Sequence, residues 1–382
     1  MKSLIKAEDY FEKIRKNGAV LFGAGSKARQ AAKLLRERHI DILAVCDNDR
    51  DLWGKEIFPG IVIEDFREVS KKYGKFTVLI TAAVNNAVSI KAELAEGFEC
   101  YQFCNPFKVE ECLLTDEEIE KNQDLIKRIY DCLEDELSKN IFSLNLNYKL
   151  TGNMLPLADL AHGKNSVLTY FDEELFDRKR RHTFIDIGAY TGDSIMSFLM
   201  ATGGNYEKII AYEADEGNYA SLKKFLDCAR VPGIELLHTA LWSECKERIF
   251  FTFEDNYRVN YDSPNFHTAV DSIADNKILK EAHGKKIASG CRRMYVHTLD
   301  SQAKDMAPTV IKVNAMADDF EILKGGKELI KRWKPFLICE FGVRKEDLFT
   351  MIPWLKGLNP EYKFYLREKK IFHDIKTILY VK

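Results

Sequence analysis

The sequence lacks any run of about 20 apolar residues, which is the length that a membrane-spanning helix requires. Its first residues are charged throughout and contain no apolar core of the kind that a signal peptide has. The nine cysteines are scattered without a CxxC pair, so neither a zinc site nor a disulfide framework is indicated. We therefore expect a cytoplasmic protein with reduced thiols, no membrane contact and no bound metal.

An excess of charge of one sign is also absent. The chain has 57 Lys and Arg residues against 59 Asp and Glu residues, which gives a formal net charge of −2. Nucleic-acid-binding domains carry a basic field, so we expect no nucleic-acid partner. The length of 382 residues exceeds what one hydrophobic core commonly serves and predicts two domains.

Short apolar runs alternate with amphipathic segments in two stretches of the chain, which predicts parallel strands joined by crossover helices. The predicted fold class is therefore α/β, with two Rossmann-like domains. The first, a nucleotide-binding domain, covers residues 1–112, a helical connector covers 113–178, and the second domain covers 179–382. Within the connector we predict one helix from Thr115 to Lys139, capped by Thr115, and irregular structure over 140–178.

A glycine-rich turn follows a predicted strand in the run DIGAYTGD at 186–193. Asp186 and Asp193 make this turn poorly suited to a phosphate and well suited to a cation such as the amino group or sulfonium of S-adenosylmethionine (SAM). Glu213 ends the next predicted strand about 20 residues later, where an acidic residue binds ribose hydroxyls. In the alternative interpretation, Gly188 and Gly192 only form a tight turn and Asp193 caps the following helix.

Residues 120–382 resemble the FkbM family of SAM-dependent methyltransferases, through FIDIGAYTGDS, IIAYEAD, VHTLDS, FEILKGG and the closing TILYVK. The resemblance implies a class I methyltransferase sheet, SAM as the cofactor and a small-molecule or glycan acceptor with a hydroxyl group. It also implies that Asp186, Gly188 and Gly192 line the methionine part of SAM, that Glu213 holds its ribose, and that Ala240 lies near its adenine. Tyr190 and Asp193, from the same turn, complete the set of expected cofactor-binding residues.

The sequence departs from the family after the fourth predicted strand of this domain. Family members read IKMDIEGAE, whereas this chain reads IKVNAMADD at 311–319, so that Asn314, Met316 and Ala317 replace Asp, Glu and Gly. An amide cannot take a proton from an alcohol at neutral pH, although a general base normally assists such a reaction. The catalytic base is therefore open, and the candidate catalytic residues are Asn314, Asp318, Asp319 and Glu340.

A second glycine turn, in VLFGAGSKA at 20–28, lies between a predicted strand and a predicted helix near the amino terminus. Gly23 and Gly25 would approach a phosphate, and Asp47 follows at the end of the next strand, where it would bind a ribose. This arrangement fits a bound nucleotide or nucleotide-sugar. It also fits a scaffold or a dimerisation domain, in which case the partner is a second copy of the chain.

Three functions remain open at this point. The first is a SAM-dependent O-methyltransferase acting on a sugar or a related hydroxyl acceptor. The second is a non-catalytic protein of a glycan pathway that binds SAM or a nucleotide-sugar, which the altered 314–317 segment favours. The third is an oxidoreductase using the amino-terminal turn, for which the amino-terminal domain, residues 1–112, offers no Tyr-x-x-x-Lys hydride-transfer group.

Overall fold

The computed structural model describes residues 4–82, 84–94, 98–102, 113–161, 170–251, 291–315, 318–371 and 374–382. The chain divides into two compact units, as far as these residues define them. One unit comprises Met1–Asn165, Arg344–Phe349 and Glu368–Lys376, and the other comprises Ser166–Val343, Thr350–Arg367 and Thr377–Lys382. The predicted connector is thus shared, with residues up to 165 in the first unit and the remainder in the second.

The first unit contains a six-stranded sheet in the order β3-β4-β2-β1-β5-β6. Its strands are β1 (Ala19–Phe22), β2 (Ile42–Cys46), β3 (Glu56–Phe58), β4 (Ile61–Glu64), β5 (Thr77–Ile80) and β6 (Glu99–Gln102). Its first helices are Ala7–Asn17, Ser26–Glu37, Phe66–Tyr73 and Val84–Glu93, with a short 3-10 helix at Arg50–Leu52. All pairings in this sheet are parallel except that of β3 with β4.

Alternation along β1 explains why this sheet is covered on both faces. Ala19 and Leu21 pack into one hydrophobic cluster with the helices at 7–17 and 26–37. Val20 and Phe22 pack into another cluster with Val69 and other residues of the helices at 66–73 and 84–93. All four residues of β1 are buried, as expected for a central parallel strand.

The single helix predicted over 115–139 is wrong, because the structure has helices at Asp116–Lys121, Gln123–Cys132 and Glu136–Thr151. Thr115 does cap the first of these, in a capping box with Glu118. Asp135 starts the third helix, since its carboxylate accepts a hydrogen bond from Ser138 N at 2.8 Å. The irregular structure predicted over 140–178 is also wrong up to Ala161, where a helix at Leu155–Ala161 ends. The buried polar residues Asn145 and Lys149 obscure the apolar periodicity of this region.

The second unit contains most of a seven-stranded sheet in the order β15-β16-β14-β13-β7-β8-β9, of which residues 368–371 and 374–376 are grouped with the first unit. Its strands are β7 (His182–Ile187), β8 (Tyr206–Glu213), β9 (Ile234–His238), β13 (Val310–Val313), β14 (Phe336–Glu340), β15 (Phe364–Ile371) and β16 (Asp374–Val381). Its helices are Asp193–Thr202, Glu216–Ala229, Leu299–Gln302, Asp319–Gly325, Lys327–Trp333 and Asp347–Leu358. Strands β9, β8, β7, β13 and β14 pair in parallel, and β16 joins β14 antiparallel. The predicted α/β fold class with Rossmann-like parallel sheets is confirmed.

A smaller sheet accompanies the larger one and consists of β10 (Ala240–Leu241), β12 (Cys291–His297) and β11 (Lys246–Phe251). The alternation over 248–253 predicts a β-hairpin arm. Up to Phe251 this segment is strand, and it pairs antiparallel with β12, as in the pairing of Phe251 with Cys291, while residues 252 and 253 lie outside the described residues. A single helix is likewise predicted over 320–331, but the chain forms two helices that meet at Gly325 and Gly326.

Two helical glycines provide a matched test of packing. A Cβ on Gly325 would lie 1.9 Å from the carbonyl oxygen of Trp242, whereas a Cβ on Gly357 would meet no atom within 4 Å. We expect Gly325→Ala to lower the free energy of unfolding by about 1–3 kcal/mol through overpacking. Gly357→Ala should raise it by up to about 1 kcal/mol, because alanine favours a helix. Urea unfolding followed by circular dichroism measures both, and equal effects of the two substitutions would contradict this account of Gly325.

Candidate functional site

The predicted glycine turn lies at the carboxyl end of β7, the edge at which open α/β sheets bind ligands. Gly188 has φ +72° and Gly192 has φ +101°, both in the region that favours glycine. A Cβ on Gly188 would lie 2.2 Å from the carbonyl oxygen of Asn314, and one on Gly192 would lie 2.9 Å from Leu222 Cδ1. Glycine is therefore required at both positions by close approach of the protein itself, and the turn is pressed against its neighbours.

Asp186 lies beneath this turn and its side chain has no exposed surface. Oδ2 accepts a hydrogen bond from Ser194 Oγ at 2.5 Å, and Lys312 Nζ lies 3.0 Å from Oδ1 in an ion pair without hydrogen-bond alignment. The same ammonium donates to the carbonyl oxygen of Gly188 at 2.8 Å. Asp186, for which the sequence predicts a contact with the ligand, thus contacts Ser194 and Lys312 beneath the turn, and through Lys312 it supports the backbone of the turn.

Asp193 begins the helix that follows the turn and is half-buried. Burial raises the pKa of this carboxyl above its ordinary value, the positive charge of Lys312 opposes the rise, and the negative charge of Asp186 adds to it. A cation that bound beside Asp193 would favour its charged form and so offset the cost of burying it.

Glu213 ends β8, and its carboxylate is held by two backbone groups. Oε2 accepts a hydrogen bond from Tyr190 N at 2.7 Å, and Oε1 accepts one from Asp215 N at 2.8 Å. Burial raises the pKa of Glu213, and the hydrogen bonds from Asp215 and Tyr190 counteract that rise. The predicted ribose-binding acid is thus fixed directly to the predicted glycine turn.

Two further predicted cofactor-binding residues lie near this edge of the sheet. Tyr190 has φ +49°, which is unusual for a residue with a side chain, and its side chain is exposed. Ala240 is buried and packs with Trp242, Val296 and the partly buried Ala214, which follows Glu213 in the chain. The Ala240 segment therefore lies close to the end of β8.

The carboxylates proposed as catalytic candidates differ sharply in their surroundings. Asp318 and Asp319 are buried, and the two oxygens of Asp319 accept hydrogen bonds from Ala315 N at 2.7 Å and from Glu340 N at 2.9 Å. Glu340, at the end of β14, is partly exposed. Of these three candidate carboxylates, it alone has a partly exposed side chain. Met316 and Ala317 lie outside the described residues.

Sequence reasoning missed Tyr170 and assigned no role to Lys312. Tyr170 is 2% exposed, and its hydroxyl oxygen accepts a hydrogen bond from Asn314 Nδ2 at 2.7 Å. Lys312 Nζ lies 5.0 Å from the centre of the Tyr170 ring. A signal for Lys312 was available, since a lysine inside the otherwise apolar strand VIKV requires a buried anionic partner. Tyr170 carries no comparable signal, because it precedes the domain's first strand in an irregular segment.

The amino-terminal glycine turn is built in a closely similar way. Asp47 Oδ2 accepts a hydrogen bond from Ala24 N at 2.7 Å, and Oδ1 accepts one from Asp49 N at 2.9 Å. A Cβ on Gly23, which has φ +113°, would lie 2.9 Å from Ala82 N, whereas Gly25 faces open space. The three predicted residues Gly23, Gly25 and Asp47 are therefore brought together at one edge of the first sheet.

Within the part of the chain that the structure describes, no helix combines the length and apolarity needed to cross a bilayer. Among the same residues, no three His, Cys, Asp or Glu side chains come together in a way that would hold a metal ion.

The ion pair beneath the turn generates a stability prediction. Replacing Lys312 with Met should lower the free energy of unfolding by about 3–5 kcal/mol, because it leaves the Asp186 carboxylate buried without a counter-ion. The double variant Asp186→Asn with Lys312→Met should lose clearly less than the sum of the two single losses. Urea unfolding of the four proteins tests this double-mutant cycle, and strictly additive losses would show that the two charges are not coupled.

No protein-family model and no curated protein matches the chain. Among solved structures it is similar to the methyltransferase FkbM from Methylobacillus flagellatus KT, with a TM-score of 0.67 and 18% identity over 99% of this chain and 94% of that one. An rRNA methylase from Streptococcus thermophilus gives a TM-score of 0.30 at 11% identity, covering 56% of this chain and 90% of that one. A precorrin-6y C5,15-methyltransferase from Geobacter metallireducens GS-15 gives 0.29 at 10% identity, covering 56% and 82%. The last two superpose too loosely to support an argument. The first confirms the FkbM methyltransferase fold that the sequence resemblance predicted for residues 120–382, and the similarity of fold extends along nearly the whole chain.

Proposed function

We propose that this chain is a SAM-dependent O-methyltransferase that acts on a sugar or a related hydroxyl acceptor. The observation that carries the proposal is the carboxylate of Glu213, which ends β8 and is fixed to the glycine turn by Tyr190 N. A carboxylate has about four lone-pair sites, so Glu213 can accept hydrogen bonds from a ribose in addition to its two backbone bonds. The turn and this acid together match the expected cradle of an adenosyl group.

The charges around the turn also suit SAM. Asp193 lies half-buried at the start of the helix, and burial raises its pKa. A cationic amino group or sulfonium bound nearby would compensate for that burial, whereas a phosphate would be repelled. Asp186 and Lys312 neutralise each other beneath the turn and hold its backbone in place. These residues would therefore bind and orient the cofactor through the fixed turn.

When bound, SAM supplies a methyl group on a positively charged sulfur, which a hydroxyl oxygen takes as the carbon–sulfur electron pair returns to sulfur. The protein must then hold the hydroxyl in line and accept its proton. Asn314, beside the turn, can hydrogen-bond the acceptor but cannot take the proton. Glu340, at the end of the adjacent strand β14, is partly exposed and can do so. We therefore assign proton removal to Glu340.

The alternative proposal is a non-catalytic protein of a glycan pathway that binds SAM or a nucleotide-sugar. It is supported by Asn314. The FkbM methyltransferases that this sequence resembles carry a carboxylate at that position. The two proposals agree on the cofactor site and differ on Glu340. A non-catalytic protein transfers no methyl group, so Glu340 would have no proton to remove. Replacing its carboxylate with a neutral amide would then have no effect on methyl transfer.

We also propose a nucleotide or nucleotide-sugar as a ligand of the first unit. The supporting observation is that its turn repeats the hydrogen bonds of the second. In each turn, a carboxylate accepts one N–H from a residue 23 positions earlier and one from a residue two positions later. Asp47 thus occupies the role that Glu213 occupies in the second unit. A scaffold or homodimer role for the first unit remains the competing proposal.

The remaining proposals concern setting and partners. We propose a small-molecule or glycan acceptor rather than a nucleic acid, because the net charge of −2 provides no basic field for a polyanion. We propose the cytoplasm as the location, since an acceptor such as a nucleotide-sugar is found there with SAM.

Glu213 and Asp47 provide a matched pair for testing the two ligand sites. We expect Glu213→Gln to weaken binding of S-adenosylhomocysteine by about 10- to 100-fold, through loss of charge-assisted hydrogen bonds. Asp47→Asn makes the same chemical change at the other turn and should leave this affinity within about twofold. Isothermal titration calorimetry on the full chain measures both.

The reverse result has a separate meaning. If Asp47→Asn weakens binding of S-adenosylhomocysteine and Glu213→Gln does not, the cofactor site has been assigned to the wrong unit. Titration with uridine diphosphate-glucose tests the first unit, where only Asp47→Asn should weaken binding. A wild-type chain that binds no nucleotide-sugar, tested with a panel of sugars and bases, would support the scaffold role instead.

Glu340→Gln tests the catalytic proposal. We expect single-turnover methyl transfer from labelled SAM to a responsive nucleotide-sugar to slow by about 10²- to 10⁴-fold, the usual contribution of a general base. Affinity for S-adenosylhomocysteine should stay within about twofold, because Glu340 is assigned to the acceptor. The control is Glu361→Gln, since Glu361 is an exposed carboxylate paired with Lys334 on the surface. Transfer that is equally fast in both variants would remove Glu340 from the mechanism.

A further inference from the structure

Tyr170 is a buried tyrosine that belongs neither to the glycine turn nor to the end of a strand. It is 2% exposed, and its hydroxyl group meets the side chain of Asn314, which lies 144 positions further along the chain. Asn314 Nδ2 donates a hydrogen bond of 2.7 Å to the Tyr170 hydroxyl oxygen. A buried tyrosine commonly finds a partner for its hydroxyl, but here the partner is a residue at the candidate reaction site.

Both residues of this pair are held in place by other groups. The Lys312 ammonium lies 5.0 Å from the centre of the Tyr170 ring, in a cation–π contact, and is itself paired with Asp186. Asn314 N donates to the carbonyl oxygen of Ile187 at 3.1 Å, which joins the end of β13 to the end of β7. The backbone of Asn314 also lies against Gly188, where no Cβ would fit. Neither partner can therefore shift without moving the glycine turn.

The hydrogen-bonding character of the pair is fixed as well. Burial raises the pKa of Tyr170 well above its ordinary value, and the negative charge of Asp193 raises it further, as do those of Glu340 and Asp186. The hydroxyl group consequently stays protonated and never becomes a phenolate under ordinary conditions. Its oxygen accepts from Asn314, and its proton is available to donate to another group.

We propose that Tyr170 and Asn314 act as a positioning pair for the methyl acceptor, an inference that rests on the proposed function. The bond from Nδ2 to Tyr170 uses one of the two amide hydrogens and fixes the orientation of the amide. Oδ1, the acceptor atom of the amide, can then accept a hydrogen bond from an incoming group at a defined position. An amide oxygen has two lone pairs and can accept this bond beside any other that it makes. The pair therefore selects an acceptor with a hydrogen-bond donor next to the transferred methyl group, such as a hydroxyl or an amine.

Two ligands that differ only near the methyl position provide the test. Sinefungin has an amine-bearing carbon in place of the methyl-bearing sulfur of SAM, so that its primary amine takes the place of the methyl group. S-adenosylhomocysteine keeps the sulfur but carries no group at the methyl position. We expect Tyr170→Phe to weaken sinefungin binding by about tenfold, the effect of about one hydrogen bond. Binding of S-adenosylhomocysteine should change by less than about twofold, because it makes no contact with Oδ1 of Asn314. Calorimetry on the full chain gives both affinities.

Further variants separate positioning from packing. Asn314→Ala removes the other residue of the pair and should likewise weaken the binding of sinefungin but not that of S-adenosylhomocysteine. This variant keeps the test available even if Tyr170→Phe fails to fold. The double variant should lose no more than the greater single loss, since both substitutions remove one interaction. Tyr362→Phe is the matched control, because Tyr362 is also 2% exposed and donates its hydroxyl hydrogen to Pro335 O. It should leave both affinities unchanged.

The outcomes distinguish the inference from the function on which it rests. A wild-type chain that binds neither ligand contradicts the proposed function and the positioning role together. If the wild type binds both ligands and Tyr170→Phe weakens both equally, the cofactor site stands and Tyr170 has only a packing role. Unchanged sinefungin affinity in both single variants equally overturns the positioning role.

Discussion

The buried ion pair of Asp186 and Lys312 holds together the elements from which the candidate site is built. Removing two charges from water costs several kcal/mol per ion, and such a pair persists only when other contacts complete it. Here Ser194 and the carbonyl oxygen of Gly188 supply those contacts. The pair thereby connects β7, β13, the glycine turn and the start of the following helix. The positions of Tyr170 and Asn314 depend on the same pair, because Lys312 also contacts the Tyr170 ring.

The two units solve one structural problem in the same way. A glycine turn at the end of a parallel strand leaves backbone N–H groups that need partners. In each unit, an acid at the end of the next strand accepts one of these N–H groups, from Ala24 in the first and from Tyr190 in the second. This bond fixes the carboxylate beside the turn before any ligand arrives. The spacing between turn and acid, which dinucleotide-binding folds share, is thus explained by internal hydrogen bonding as well as by ligand contacts.

Much of this architecture could be predicted from local sequence patterns. Strand ends, the glycine turns and the acids Asp47 and Glu213 carry their signal within about 20 residues, a range that motifs describe well. The partnership of Asp186 with Lys312 and that of Asn314 with Tyr170 join residues far apart in the chain, and only the folded sheet brings them together. The helices after Thr115 were mispredicted for a related reason, since Asn145 and Lys149 are polar yet buried.

Asp319 gives the site a further property. Its carboxylate joins the backbone after β13 to the backbone at the end of β14, through Ala315 N and Glu340 N. Loops at the ends of strands ordinarily tolerate changes of length, and enzymes of one fold often acquire new substrates in that way. In this chain, an insertion in the loop after β13 or in the loop after β14 would disturb the hydrogen bonds to the Asp319 carboxylate. Such an insertion would change the position of Asn314 relative to Glu340. Sequence change at this edge of the sheet is therefore restricted to exchange of side chains at constant loop length.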